Sequence, residues 1–254
     1  MTSALERAPR SPADQRSVVI ETALLAWVFE GISAQGRINV LDVGPAMPPT
    51  IEFLSSMRCR LHIADLFDST IIEQQHHLDH DVLTAHFAEA LWMLDEPLHA
   101  CLLWDFPNYL TPPALEALNQ ALSPWVTDHT RAHAFCAVKR SAPLMQHQYS
   151  IRSANEIVQE AAPERPPAAH PHPWRRLVGA LNLFDVDRGA LRAGGLVEVI
   201  LHGTSQQSAE PPLRTNEKVK DIPLRPSVNA EQPPPPVRRT SQQTESSLLA
   251  SCNR

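Results

Sequence analysis

The stretch "RINVLDVGPAMPPTIEFLSSMRCRLHIADLF", residues 37 to 67, decides the fold of this chain. Its first part, "RINVLDV", is short, rich in β-branched residues and bounded by Gly36 and Gly44, which predicts a buried strand. "PTIEFLSSM" predicts a helix, and "CRLHIADLF" predicts a second strand that ends near Asp65. A strand, a loop, a helix and a second strand in this order form a unit whose two strands run parallel. The stretch therefore predicts an α/β protein with a Rossmann-like, doubly wound sheet.

Three predicted strands end on or near an aspartate. Asp42 closes the first strand, Asp65 the second, and Asp105 closes a third buried strand, "HACLLWDF". Ligands of doubly wound sheets bind outside the carboxyl ends of the strands. An acid about twenty residues beyond the first loop is placed to bind ribose hydroxyls. These positions predict a site for a nucleoside-containing cofactor.

The loop "LDVGPAMPPT", residues 41 to 50, discriminates between cofactors because it contains one glycine and three prolines. A pyrophosphate needs free backbone N–H groups, which the GxGxxG pattern supplies, and Pro45, Pro48 and Pro49 have none. The loop therefore disfavours ATP, FAD and NAD as cofactors. Because it disfavours NAD, it also argues against a nicotinamide-dependent oxidoreductase. S-adenosylmethionine carries no phosphate. Its ammonium and carboxylate need an acid such as Asp42, the Gly44 carbonyl and one or two amides.

The rest of the domain continues the alternation of helices and strands. Apolar residues at helical spacing predict a helix over residues 16 to 33, and residues 68 to 92 are also predicted to be helical. "LTPPALEALNQAL" predicts a helix with Thr111 as its N-cap, and "RAHAFCAV" predicts a fourth strand. Residues 141 to 176, with one short strand at "QYSI", predict an excursion over the sheet or a lid. "LFDVDRGALRAGGLVEVILHG" predicts two antiparallel strands at the end of the domain.

Four segments carry a resemblance to a known family. "VLDVGPAMPPTIEFL", "RLHIADLF", "LLWDFPNYL" and "LFDVDRGALRAGGLVEVIL" resemble the class I S-adenosylmethionine-dependent methyltransferases, and within them a poorly characterised bacterial branch with a divergent cofactor loop. The resemblance covers residues 15 to 204 and implies a mostly parallel, seven-stranded sheet with an antiparallel last strand. It implies that the cofactor is bound by Asp42, Gly44, Pro45, Asp65, Leu66 and Asp105.

The resemblance leaves two functions open. One is an S-adenosylmethionine-dependent methyltransferase that acts on an unidentified small-molecule or protein acceptor. The other is a catalytically inactive module for interaction or regulation, because the loop lacks the second and third glycines of the family pattern E/D-x-G-x-G-x-G. No residue is assigned as a catalytic base, since many methyl transfers need only proximity and alignment. "DFPNY" has one residue more than the D/N-P-P-Y motif of amino-methylating enzymes, so that role is not assigned to it.

Aromatic and histidine residues offer further candidates. Tyr109 is a candidate for substrate binding, whereas Trp104 is predicted to pack under a helix. "AAHPHPWRR", residues 168 to 176, would either line a pocket for an acidic substrate or form an irregular surface loop, and its prolines favour the loop. His76 and His80 have the spacing of two metal ligands on a helix, but a third and fourth ligand are not apparent, so no metal site is predicted.

Length and composition predict the domain organisation. The chain has 254 residues and is 43% hydrophobic, which suits one domain over residues 15 to 204, preceded by a flexible segment of residues 1 to 14. Residues 205 to 254 are rich in Pro, Ser, Gln and Glu and contain neither glycine nor an aromatic residue. They predict a disordered tail, whose run of four prolines could bind a protein partner.

Charge and cysteine content restrict the partners and the compartment. The net charge of -6 and the pI near 6.0 favour neither nucleic acid nor a membrane surface as a partner. The four cysteines form no CxxC pair, which argues against a zinc ribbon or a thioredoxin-like redox site. The first residues lack the apolar core of a signal peptide. We therefore expect a cytoplasmic protein.

Overall fold

The computed structural model of the chain describes residues 17–30, 36–68, 70–142, 144–162 and 168–204. Within these residues the strands are β1 (Ser17–Glu21), β2 (Ile38–Asp42), β3 (Cys59–Ile63), β4 (Ala100–Trp104), β5 (Arg131–Ala137), β6 (His147–Ser153), β7 (Glu156–Ala161), β8 (Phe184–Leu191) and β9 (Leu196–Gly203). Six of them form the main sheet, in the order β3-β2-β4-β5-β9-β8. β3, β2, β4 and β5 are mutually parallel, whereas β9 runs antiparallel to both of its neighbours.

This architecture confirms the Rossmann-like α/β sheet and the antiparallel last strand that the sequence predicts. The resemblance implies seven strands, but the main sheet has six in the part of the chain that the structure describes. Between β3 and β4 the described residues form helices instead of a further strand. β2 and β4 are buried along their whole length, which places the carboxyl ends of two core strands side by side.

The helices pack on the main sheet and join its strands. They are α1 (Leu25–Phe29), α2 (Pro48–Ser55), α3 (Thr70–Gln74), α4 (His80–Ala90), α5 (Pro112–Leu122) and α6 (Trp174–Ala180). The predicted cap of α5 is confirmed, because Thr111 Oγ1 accepts the Ala114 backbone N–H over 3.4 Å. The predicted helical segment from 68 to 92 is interrupted between α3 and α4. At this interruption the buried Gln75 amide bonds the Tyr109 carbonyl (2.9 Å) and the Thr111 N–H (2.6 Å).

The prediction of one helix over residues 16 to 33 is wrong. Residues 17 to 21 form β1, which pairs antiparallel with β7, and α1 begins only at Leu25. Val18, Val19 and Ile20 are β-branched and favour a strand once a partner strand is available. Thr22 ends the strand, and its side chain accepts the Leu24 N–H over 3.0 Å, which starts the turn into α1.

The excursion over residues 141 to 176 contains two strands where the sequence predicts one. β6 and β7 form a hairpin, and β1 adds to it, giving a three-stranded sheet in the order β1-β7-β6. Tyr149, Ile151 and Ile157 are buried on this second sheet. β6 packs against α2, where Thr50 Oγ1 accepts the Ile151 N–H over 3.0 Å.

The predicted N-terminal segment of residues 1 to 14 and the predicted tail of residues 205 to 254 lie outside the described residues. Among the helices that the structure does describe, none is both long enough and apolar enough to cross a bilayer.

Candidate functional site

The three strand-end aspartates lie at one edge of the main sheet. Asp42 is the last residue of β2, Asp65 follows β3, and Asp105 follows β4. Because the parallel strands β3, β2 and β4 are neighbours, their carboxyl ends share this edge. Asp65 has a left-handed backbone with φ +42°, a conformation that Asp adopts more readily than most residues. The negative charge of Asp65 also acts on Asp42.

Asp42 is almost completely buried, and one of its carboxylate oxygens has two donors. Asp42 Oδ1 accepts the Gly44 backbone N–H over 2.9 Å and the Trp104 indole N–H over 2.7 Å. Burial raises the pKa of Asp42 to about 6, and the charge of Asp65 contributes to this rise. The two hydrogen bonds act in the opposite direction because they stabilise the ionised form.

Trp104 occupies the space in front of the loop that the sequence predicts to bind the cofactor. A Cβ atom placed on Gly44 would lie 3.2 Å from Asp42 Oδ1 and 3.2 Å from two atoms of the Trp104 ring. The backbone of Trp104 has φ +50°, and the pairing of β4 with β5 is irregular between Leu102 and Trp104. A left-handed conformation is rare for a large side chain and is strained unless the surroundings hold it. Gly44 therefore accommodates the Asp42–Trp104 pair itself.

The second sheet covers one face of the Trp104 ring. The Tyr149 ring on β6 stacks on the indole with centroids 5.5 Å apart and planes inclined by 11°. The sequence predicts that Trp104 is buried under a helix. It is buried, with 1% of its surface exposed, but the ring contacts it makes are with Tyr149 and with His133 of β5.

Asp105 lies next to the hydroxyl groups of two tyrosines. Its Oδ2 atom faces the hydroxyl groups of Tyr109 (3.5 Å) and Tyr149 (3.4 Å), both long hydrogen bonds. Asp105 Oδ1 has no hydrogen-bond partner in the described part of the chain. Burial raises the pKa of Asp105 to about 8, against the opposing effect of its hydrogen bonds. At neutral pH this group is therefore mostly protonated. Burial likewise raises the pKa of Tyr109.

The residues that the sequence predicts for cofactor binding are brought together but not left open. Asp42, Gly44, Leu66 and Asp105 are buried, and Pro45 is half-buried next to Gly44. Their chemistry suits S-adenosylmethionine, because they include acids and a glycine and because this cofactor has no phosphate that the loop would have to bind. Their arrangement does not fit the cofactor in this conformation, because the Trp104 indole already binds Asp42 and fills the space beside Gly44.

Comparison with known proteins gives similarity to solved structures only. No family model and no curated protein matches the chain. One similar structure is a 1,6-didemethyltoxoflavin N1-methyltransferase from Burkholderia thailandensis with bound S-adenosylhomocysteine (12% identity, 72% of this chain and 77% of that chain, TM-score 0.39). A magnesium protoporphyrin IX methyltransferase from Synechocystis PCC 6803 has 12% identity over 71% of this chain and 76% of that chain (TM-score 0.39). A glycopeptide N-methyltransferase has 14% identity over 71% and 95% (TM-score 0.38). All three are methyltransferases.

Asn108 is a structural residue of this site that the sequence does not reveal. It lies in "DFPNY" and is fully buried. Its Nδ2 donates to the carbonyls of Asp105 (3.1 Å) and Phe135 (2.7 Å), and its Oδ1 accepts the N–H groups of Ala137 (3.2 Å) and His172 (3.4 Å). Asn108 thus joins the end of β4 to β5 and to the segment before α6. A polar residue between a strand and a helix carries no signal of such a role.

Proposed function

We propose that this chain is an S-adenosylmethionine-dependent methyltransferase-like protein that binds the cofactor at the carboxyl ends of β2, β3 and β4. The observation that carries the proposal is the convergence of Asp42, Asp65 and Asp105 on three adjacent strand ends. In this proposal the cofactor is held by Asp42, Gly44, Pro45, Asp65, Leu66 and Asp105.

The acceptor side of the site is assigned to Tyr109, which faces Asp105. The acceptor itself is a small molecule or a protein, and the cytoplasmic location expected from the sequence belongs to the same proposal. The bound cofactor would supply an activated methyl group. The contribution of this chain would be to bind and orient the two partners, since no side chain of the site is assigned as a base.

A second candidate function is the catalytically inactive module. It is favoured by the Trp104 indole, which bonds Asp42 and occupies the space beside Gly44. The two candidates differ in one property. A methyltransferase must be able to move the Trp104 ring out of the site, whereas an inactive module retains the ring as part of its core.

Calorimetric titration with S-adenosylmethionine and S-adenosylhomocysteine tests the proposal. We expect binding to the unmodified chain and a loss of about tenfold or more in Asp65→Ala, because a hydrogen bond to a charged group contributes roughly 1.5–3 kcal/mol. Asp128→Ala is the matched control, because Asp128 is exposed and precedes β5, at the opposite edge of the sheet. Binding that Asp65→Ala and Asp128→Ala leave equally unchanged would contradict the placement of the site.

Trp104→Ala distinguishes the two candidates in the same titration. Binding to the unmodified chain supports the methyltransferase. Binding to Trp104→Ala alone supports the inactive module, because it shows that the pocket exists but that the native side chain closes it. If neither protein binds ligand at about 1 mM, a concentration that detects affinities of roughly -4 kcal/mol, the proposed cofactor is wrong.

A further inference from the structure

A cavity lies at the start of α5, and none of the residues assigned to the cofactor lines it. Its volume is about 570 Å³, within the range of about 300–1,000 Å³ that is usual for small-molecule sites. It is bounded by the start of α5, by residues 169 to 172 and by α6. The residues that matter most for its chemistry are Leu115, Glu116, Arg140, Pro171, Arg176 and Ala180.

Arg140 and Arg176 both line this cavity, and neither has an acidic partner among the residues that the structure describes. Neither Arg140 nor Arg176 forms an ion pair or a side-chain hydrogen bond within the described ranges. Other arginines of the chain do, as Arg60 does with Asp95 and Arg192 with Glu198. Glu116 is the acid among the lining residues, so the lining carries one positive charge in excess when its histidines are neutral.

The remaining wall is apolar. Leu115 is buried, and Pro112, Pro171, Gly179 and Ala180 contribute carbon surface without hydrogen-bonding side chains. A cavity with apolar walls and two arginines among its lining residues suits a ligand that has an apolar body and an anionic end. Arginine binds the planar oxygens of a carboxylate, or those of a phosphate, through two parallel hydrogen bonds.

The wall formed by residues 169 to 172 is fixed in place. The His170 N–H donates to the Asn108 carbonyl over 2.6 Å, and His172 Nε2 lies 2.7 Å from the Leu110 carbonyl. Pro173 continues this attachment as a bridge to Ala137 at the end of β5. This wall is therefore held in place by the protein itself, which lowers the entropic cost of binding a ligand against it.

We propose that this cavity is a binding site for a small organic anion, in which Arg140 and Arg176 bind the anionic oxygens and Leu115 and Pro171 contact the apolar body. In this proposal the segment "AAHPHPWRR" contributes a wall of the binding site. From the sequence, its prolines favour a surface loop instead. The inference does not depend on the proposed function, because none of the residues assigned to the cofactor lines this cavity.

The test uses three probes of similar shape: benzoate, phenyl phosphate and neutral benzamide. Saturation-transfer NMR and calorimetry at low salt are expected to detect benzoate or phenyl phosphate at millimolar affinity, about -4 kcal/mol, and no comparable binding of benzamide. Whichever anion binds more tightly identifies the class of the natural ligand as carboxylate or phosphate.

Three single variants locate the site. Arg140→Gln and Arg176→Gln are each expected to weaken binding about tenfold or more, because each removes a charge-assisted contact. Arg175→Gln is the matched control, since Arg175 lies next to Arg176 but stacks on the Trp174 ring, 5.2 Å from its centroid, and does not line the cavity. All three side chains are exposed, so the variants are expected to fold, which circular dichroism verifies.

Three results would overturn the proposal. They are the absence of binding by both anions at about 10 mM, well above a millimolar dissociation constant, equal binding of benzamide, and an equal loss in Arg175→Gln. The cofactor titration on the same samples keeps the two proposals apart. A chain that binds S-adenosylhomocysteine but no organic anion retains the proposed function and loses this inference, and the reverse result does the opposite.

Discussion

The Trp104 indole N–H donates to Asp42 Oδ1 over 2.7 Å, across the ends of two adjacent core strands. This bond joins an acid that the sequence predicts for cofactor binding to a side chain that the sequence assigns to the core. The left-handed backbone of Trp104 carries a conformational cost, which the bond, the stacking on Tyr149 and the burial of the ring offset. The arrangement of Trp104 in the site is therefore built from specific interactions that can be removed one at a time.

Gly44→Ala is expected to destabilise the protein by about 1–3 kcal/mol, because the added methyl group would crowd a buried carboxylate and a buried indole at 3.2 Å. In a Trp104→Ala background the same substitution is expected to cost much less, since the ring has gone. Urea denaturation of the four proteins in this double-mutant cycle measures the coupling between the two positions.

The control for this cycle is Gly179→Ala in α6, where an added Cβ meets nothing within 4 Å and alanine favours the helix. It is expected to be neutral or slightly stabilising. Additive effects of Gly44→Ala and Trp104→Ala would show that the glycine serves something other than the indole.

Asp105→Asn is expected to change how stability depends on pH. The carboxyl group of Asp105 has a pKa of about 8 in the folded chain, because it is buried, and about 4 in the unfolded chain. Between these values the folded state holds a proton that the unfolded state has released, so stability falls as pH rises. From pH 6.5 to 8.5 this contribution amounts to about 2 kcal/mol, and asparagine removes it.

Chemical denaturation at pH 6.5 and 8.5 checks this expectation, because Asp42, with a pKa of about 6, completes most of its titration below that window. The unmodified chain should lose more stability than Asp105→Asn over the window. Parallel profiles for the two proteins would mean that Asp105 is ionised in the folded state.

The sequence predicts the main sheet well because the relevant signals are local. "RINVLDV" and "HACLLWDF" are short segments in which apolar residues predominate, and they form β2 and β4. The cap of α5 is likewise specified by Thr111 and the prolines that follow it. Residues 17 to 21 show where local signals fail, because their apolar spacing fits both a helix and a strand. Pairing with β7, about 140 residues away along the chain, decides between them.

The same limit applies to the candidate site. The acids at the strand ends follow from the parallel sheet, so their positions can be predicted. The closure of the site cannot, because it depends on Tyr149, which belongs to a separate sheet, and on an irregular end of β4 that turns the Trp104 ring toward Asp42. A tryptophan directly before a strand-end acid, as in "LLWDF", is the one local sign of this arrangement.

Glu198→Gln is expected to cost about 3 kcal/mol at neutral pH, because it removes the charge from a buried cluster. Glu198 on β9 is completely buried, accepts a hydrogen bond from Thr22 Oγ1, and lies 3.0 Å from His133 Nε2 and 3.1 Å from Arg192 Nε. Burial alone would raise its pKa, but these three partners together hold the pKa below its usual range.

A lowered pKa means that the stabilisation by Glu198 is present above the unfolded-state pKa and is lost as pH falls. The difference between Glu198→Gln and the unmodified chain should therefore shrink in acid, which denaturation at pH 7 and pH 4 measures. Asp128→Asn, at an exposed pair with His129, is the control and should differ little from the unmodified chain at either pH. A difference for Glu198→Gln that grows in acid would contradict the charge assignment.

Asn108→Ala is expected to destabilise the protein by about 3 kcal/mol, because it removes four hydrogen bonds. The buried Phe135 carbonyl and the buried Ala137 N–H each lose the Asn108 side chain as a hydrogen-bond partner. The loss should also loosen residues 169 to 172, which form a wall of the cavity that we propose binds an organic anion. Backbone hydrogen exchange at His172 is therefore expected to accelerate more than exchange elsewhere in the chain. Asn155→Ala, in the exposed turn between β6 and β7, is the matched control. If global stability falls while exchange at His172 rises only in proportion, Asn108 stabilises the sheet but does not fix the cavity wall.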